Sequence, residues 1–195
     1  NYQHEQQDQW LLATGRDYLP FGAFITHQVN DTLALEFAET RQLFAGIAYE
    51  NYGVVTELYV YQNEGEDNAR KLGGSIVYQG HLHHLGLDYI ESLHGEESIS
   101  IHGHMEVEKF ILIAEQVVSL TSRNYVNQVE LACRLGELFI SAAYQVSHVL
   151  EALELPAEKV SLTVHGDLNQ YAQLGIELGR VDGNESVKTQ LSILL

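Results

Sequence analysis

Cysteine is nearly absent: Cys133 is the only one in 195 residues. No intramolecular disulfide can form, which excludes a disulfide-stapled secreted scaffold and a cysteine-based zinc site. Cys133 sits in an apolar stretch and reads as a buried structural thiol, since nothing electropositive is placed to activate it. Basic residues are also few, 10 Lys and Arg against 27 Asp and Glu, for a formal net charge of −17. Arg70-Lys71 is the only adjacent basic pair. Such a chain repels phosphate backbones and anionic lipid, so no nucleic-acid and no membrane partner is expected, whereas a basic protein surface suits it. No window approaches the roughly 18 consecutive apolar residues of a spanning helix. Nucleophile elbows, dinucleotide fingerprints, phosphate loops and His-Glu-x-x-His are all missing, so the reading leans away from catalysis.

Histidine, by contrast, is concentrated. Six of the ten histidines fall between His81 and His104. From Ser98 to Glu108 polar and apolar residues alternate, and side chains two apart share one face of a strand. His102 and His104 therefore project together, as a strand offers two imidazoles to a transition metal, although a solvated strand face uses the same residues.

His102-Gly-His104 with Glu108 reads His-x-His-x3-Glu, and His165-Gly-Asp-Leu-Asn169 reads His-x3-Asn. These fragments resemble the paired metal-binding motifs of the cupin family. The resemblance implies one divalent transition metal held by His102, His104, Glu108 and His165 inside a small barrel. Gly95 stands seven residues before His102, one too many for that family, and no Pro-x-Gly precedes His165. His165-Gly166-Asp167-Leu168 also resembles the catalytic-loop tetrapeptide of aminoglycoside and choline kinases. Ala172 occupies the position of that family's metal-binding asparagine.

The chain is long enough for one core, and 1–195 is read as a single α+β domain. Strands are expected over Gly22–Val29 and Thr32–Ala38 around an Asn30-Asp31 turn, and over Leu43–Tyr49 and Val54–Tyr61. Further strands are Ser75–Leu93 and Ser98–Met105, then Val160–Val164, Tyr171–Val181 and Val187–Leu194, with a hairpin turn at Asp182-Gly183. The polar run Asn63–Lys71 reads as a loop. Residues 3–14 suit a short helix ended by Gly15. Val129, Ala132, Leu135, Leu138, Phe139, Ala142, Val146, Val149, Leu150 and Leu153 form one stripe, predicting a long helix from a Ser122 cap to Pro156. Val107, Phe110, Ile111, Ala114, Val117 and Val118 permit a second, shorter helix. The fold expected is an antiparallel meander sheet packed on one long C-terminal-half helix, followed by a final set of strands.

Eleven tyrosines complete the picture. Tyr49, Tyr52, Tyr59, Tyr61 and Tyr78 lie on neighbouring strands and read as an interaction surface, since tyrosine is enriched at protein contacts. The functional expectation is a non-catalytic, acidic structural or protein-interaction domain with no cofactor: a self-assembling homo-oligomeric subunit such as a virion or tube component, or an inhibitor of a basic partner. A histidine-based metal-binding protein or metalloenzyme is the alternative. Composition groups the chain with soluble, cytoplasmic or virion-assembly proteins rather than with disulfide-rich secreted ones.

Overall fold

Apolar residues recur at alternate positions in most of the chain's strands, and twelve strands make one antiparallel sheet in sequence order. The computed structural model describes residues 8–23, 25–29, 31–38, 41–62, 70–148, 155–169 and 172–193. The elements are β1 (Gln9–Tyr18), α1 (Leu33–Ala38), β2 (Arg41–Asn51), β3 (Val54–Gln62), β4 (Arg70–Gln79), β5 (His83–Leu93), β6 (Glu96–Val107), β7 (Phe110–Ser119), β8 (Tyr125–Leu135), β9 (Leu138–His148), β10 (Glu158–Asn169), β11 (Ala172–Val181) and β12 (Asn184–Ile193). Each strand pairs with its sequence neighbours.

The turns explain the register. Tyr52-Gly53, His94-Gly95 and Asp182-Gly183 all take positive φ at both residues, the two-residue hairpin geometry whose twist matches that of the strands. These turns and Gly136-Glu137 keep successive strands at nine to twelve residues. The two ends of the sheet differ. At one, strands are joined by Tyr52-Gly53, residues 80–82, Glu108-Lys109 and Gly136-Glu137, and β1 begins and β12 finishes there. The other carries the longer connections, including residues 19–40 and 120–124. We call these the turn end and the loop end.

The sheet is curled, with Leu19–Ala38 inside the curl. Leu19, Phe21, Leu33 and Phe37 form one core with Tyr59 and Tyr61 of β3, Ile90 and Leu93 of β5, Val117 of β7 and Val126 of β8. The same segment bonds to β11 through Val29 N–H and Glu177. A flat sheet would separate β3 from β11 by about 38 Å at the usual strand spacing, so only a wall wrapped around the segment reaches it from both.

Within the helix expected from Ser122 to Pro156, residues 125–148 instead form the β8–β9 hairpin, and Val107–Val118 belongs to β6 and β7. The sole helix among the described residues is α1, six residues long, so the α+β reading with a long helix is replaced by a nearly all-antiparallel sheet. Residues 9–14, expected helical, lie in β1; residues 1–7 fall outside the described residues. Gly22–Val29 does not pair as a strand, and Thr32–Ala38 contains α1; of the loop expected over Asn63–Lys71, Arg70 and Lys71 lie in β4, while residues 63–69 fall outside the described residues, as do Asn30, Val149, Leu150, Leu153, Tyr171 and Leu194. Ser75–Leu93 is interrupted at residues 80–82 and forms parts of two strands. The meander itself, the β2–β3 hairpin and the Asp182-Gly183 turn are as expected. No helix among the described residues is long and apolar enough to cross a membrane.

Candidate functional site: a polar lumen inside an apolar wall

The alternation runs opposite to that of a water-soluble sheet. On β3, Leu58 is 64 % exposed while its neighbour Tyr59 is 3 % exposed. On β10, Val160, Leu162 and Val164 face outward while Lys159, Ser161 and Thr163 are buried. On β6, Ser98, Ser100 and His102 are buried and Ile101 and Met105 exposed. An antiparallel sheet with one face in water packs its apolar face on a dry core; here the outward face is apolar along most strands, and many polar side chains are buried on the inward face beside the apolar cluster around Phe21 and Phe37.

The outward face is also zoned. Its charged residues, Arg16, Arg41, Arg70, Glu91, Glu97, Glu158, Arg180 and Glu185, all stand at the loop end of their strands. Trp10, Tyr49, Tyr78 and Phe110 face outward at the turn end, where the Trp10 and Tyr49 rings lie 4.5 Å apart across β1 and β2. Between these zones the outward positions carry no charge.

Inside, the wall's polar groups hold the backbone of the central segment. Asp88 of β5 accepts Gly22 N–H at 2.8 Å, and Glu115 of β7 accepts Ala23 N–H at 3.2 Å. Glu130 of β8 takes His27 N–H at 2.9 Å and the Thr26 hydroxyl at 2.7 Å. Glu177 of β11 accepts Val29 N–H at 2.9 Å, Gln145 of β9 accepts Leu33 N–H at 2.6 Å, and Lys159 of β10 donates to Asp31 O at 2.9 Å. A segment that is neither strand nor long helix has unmatched backbone donors, and burying them unpaired is costly. Carboxylates from successive strands meet that need. Burial pushes Glu130 above the ordinary carboxylate range, against the hydrogen bonds from Thr26 and His27. Burial likewise lowers Lys159, opposed by nearby Glu177.

The histidines divide into two groups. His84, His102 and His104 face the lumen from β5 and β6. The His84 ring lies 5.2 Å from His102 and 5.4 Å from His104. His102 Nε2 is 3.0 Å from Asp88 Oδ2. His84 Nε2, His102 Nδ1 and His104 Nδ1 are buried without hydrogen-bond partners. Burial lowers His84, with His102 and His104 adding repulsion. His165 belongs to the second group, stacking on Phe139 at 4.9 Å and on His27 at 5.6 Å. Burial lowers His27 and His165 as well. Glu108 is in the β6–β7 turn at φ 56°. Among the described residues, no group of three or more His, Cys, Asp or Glu side chains is placed to hold a metal ion.

The tyrosines also separate. Tyr49, Tyr52 and Tyr78 are at the turn end, whereas Tyr59 and Tyr61 are buried in the lumen. Tyr61 Oη bonds the Ser92 backbone, and burial beside Asp88 holds the Tyr59 phenol far above its ordinary value. Sequence reasoning missed the buried inward-facing polar residues, although Glu115, Gln128 and Glu130 each alternate with residues of the outward face. No family model matches the chain, and no curated protein matches it.

Proposed function

We propose that this chain is an integral membrane β-barrel whose polar lumen is stoppered by its own segment Leu19–Ala38. The inverted alternation carries the reading: a continuous apolar exterior enclosing buried Asp88, Glu115, Glu130 and Glu177 is the arrangement lipid selects. Strands of nine to twelve residues suit a tilted crossing of the hydrocarbon. Short turns at one end, longer connections at the other and outward aromatics near the boundary fit the same architecture. The expectation of no membrane partner rested on net charge and the lack of a long apolar run. A strand needs only alternate apolar residues, and the acidic residues here face the lumen or the ends. Carboxylates outnumber cations among the lumenal residues, so the conduit behind the stopper favours cations over anions.

A self-assembling subunit is the second reading, because copies of the chain would also cover the outward apolar face. Trp10, the single tryptophan, distinguishes the two. The protein is folded from denaturant in the presence of phosphatidylcholine vesicles, with and without bromine on the acyl chains near the headgroup. Quenching and a blue shift of Trp10 emission support the membrane reading. A discrete lipid-free oligomer with Trp10 unquenched by vesicles overturns it and favours the assembling subunit.

A further inference from the structure

Three imidazoles meet on one patch of the lumen. His84 and His104 are direct cross-strand partners, and His102 is the next inward residue along β6. Gly86 stands opposite His102, where a Cβ would come within 2.1 Å of the His102 ring. Only glycine there lets the ring lie against β5. Across β7, His102 is paired with Glu115, and Glu115 with Gln128 of β8. Gln128 is 1 % exposed, and neither its amide oxygen nor its nitrogen has a partner.

Buried polar atoms are ordinarily hydrogen-bonded, and a cluster that is not calls for a ligand. The His102 Nε2–H donates to Asp88, which also takes Gly22 N–H from the stopper. That bond fixes the tautomer and leaves the His102 Nδ1 lone pair available, the carboxylate–histidine pattern found behind metal-bound imidazoles. Two imidazoles sharing a tetrahedral ion, with metal–nitrogen bonds of about 2.0–2.1 Å, have ring centres roughly 5 Å apart. The His84–His102 and His84–His104 separations of 5.2 and 5.4 Å are of that size.

We propose that His84, His102 and His104 form a lumenal site for one first-row divalent metal ion of the zinc class, positioned by Asp88. The set differs from the sequence-derived one, keeping His102 and His104 and replacing Glu108 and His165 with His84. The rings must rotate to direct their nitrogens at one point, and His84 and His104 are free of the Asp88 bond that restrains His102. Occupancy would be read at the stopper, because Asp88 links the site to Gly22.

The test is zinc titration of the folded, detergent-solubilised full chain by calorimetry, with elemental analysis of the desalted complex. The expected result is one ion per chain, weakened at least tenfold by His84→Ala or by His104→Ala and unchanged by His165→Ala and His83→Ala. Diethyl pyrocarbonate labelling of the wild type, read by mass spectrometry, serves if a variant fails to fold: zinc should shield His84, His102 and His104 while His81 and His83 stay reactive. No saturable zinc binding, or binding that follows His81 and His83 instead, overturns the proposal.

Discussion

Glu130 on β8 accepts the backbone N–H of His27 at 2.9 Å, tying the wall to a residue 103 positions earlier in the chain. Its second oxygen takes the Thr26 hydroxyl. One carboxylate thus satisfies two groups of a segment that has no sheet partner. Glu130→Gln keeps one acceptor and removes a buried charge, so its effect on stability should be small. Glu130→Ala leaves the His27 N–H and Thr26 hydroxyl unsatisfied and should cost about 1–3 kcal/mol, with faster hydrogen exchange at His27. Equal losses in the two variants, measured by chemical denaturation, would show that the Glu130 acceptor does not hold the stopper.

The same residue gives a pH signature. Burial raises the folded-state pKa of Glu130 above its value of 4.5 in the unfolded chain. The folded protein therefore binds this proton more readily than the unfolded one. The site's contribution is fully present below 4.5 and is lost as pH rises through the folded value. Relative to Glu130→Gln, the wild type should gain stability as pH falls through that window. Paired denaturation curves from pH 7 downward check the sign, and a wild type that loses ground to the variant on acidification contradicts it.

The outward face offers a depth-dependent test. Leu162 lies mid-strand on β10, 46 % exposed, and Glu158 already carries a charge at the loop end of that strand. In vesicles, Leu162→Arg should lower folding stability by about 2–4 kcal/mol, as expected for a charge at the midplane, whereas Val160→Arg, nearer the loop end, should cost less. Equal and negligible effects at both positions would argue against a bilayer around this face.

The misread helix shows where sequence patterning loses its footing. On β8 the outward residues have odd numbers, Val129, Leu131, Cys133 and Leu135; on β9 they have even ones, Leu138, Ile140, Ala142 and Tyr144. The Gly136-Glu137 turn shifts the phase, so Leu135 and Leu138 are three apart, as on a helix. Ala132 and Phe139, which face inward, complete a helical stripe made from both faces of a hairpin. The Asp182-Gly183 turn and the polar-facing pair His102 and His104 were legible because they depend on local geometry. The stopper was not, since its bonds to Asp88, Glu130 and Glu177 span 66 to 148 residues. His84 was similarly hidden: only the β5–β6 register places it opposite His104.

The two edges of the sheet set a final expectation. β1 pairs with β2 and β12 with β11, and both edge strands are exposed along nearly their whole length. In hydrocarbon, each unpaired backbone donor or acceptor costs several kcal/mol, so the edges of a membrane-inserted sheet must pair. β1 runs from the turn end to the loop end and β12 runs back, which suits antiparallel closure of one chain on itself. The curl points the same way, since the stopper that follows β1 is already bonded to β11 through Val29 and Glu177. In a Cys133→Ser background, Leu12→Cys should therefore cross-link in vesicles to a cysteine placed at Val187, Thr189 or Leu191 within the same chain, giving a product of monomer mass. Cross-linked dimers would mean that two copies join edge to edge, and the lumen would then be shared between them.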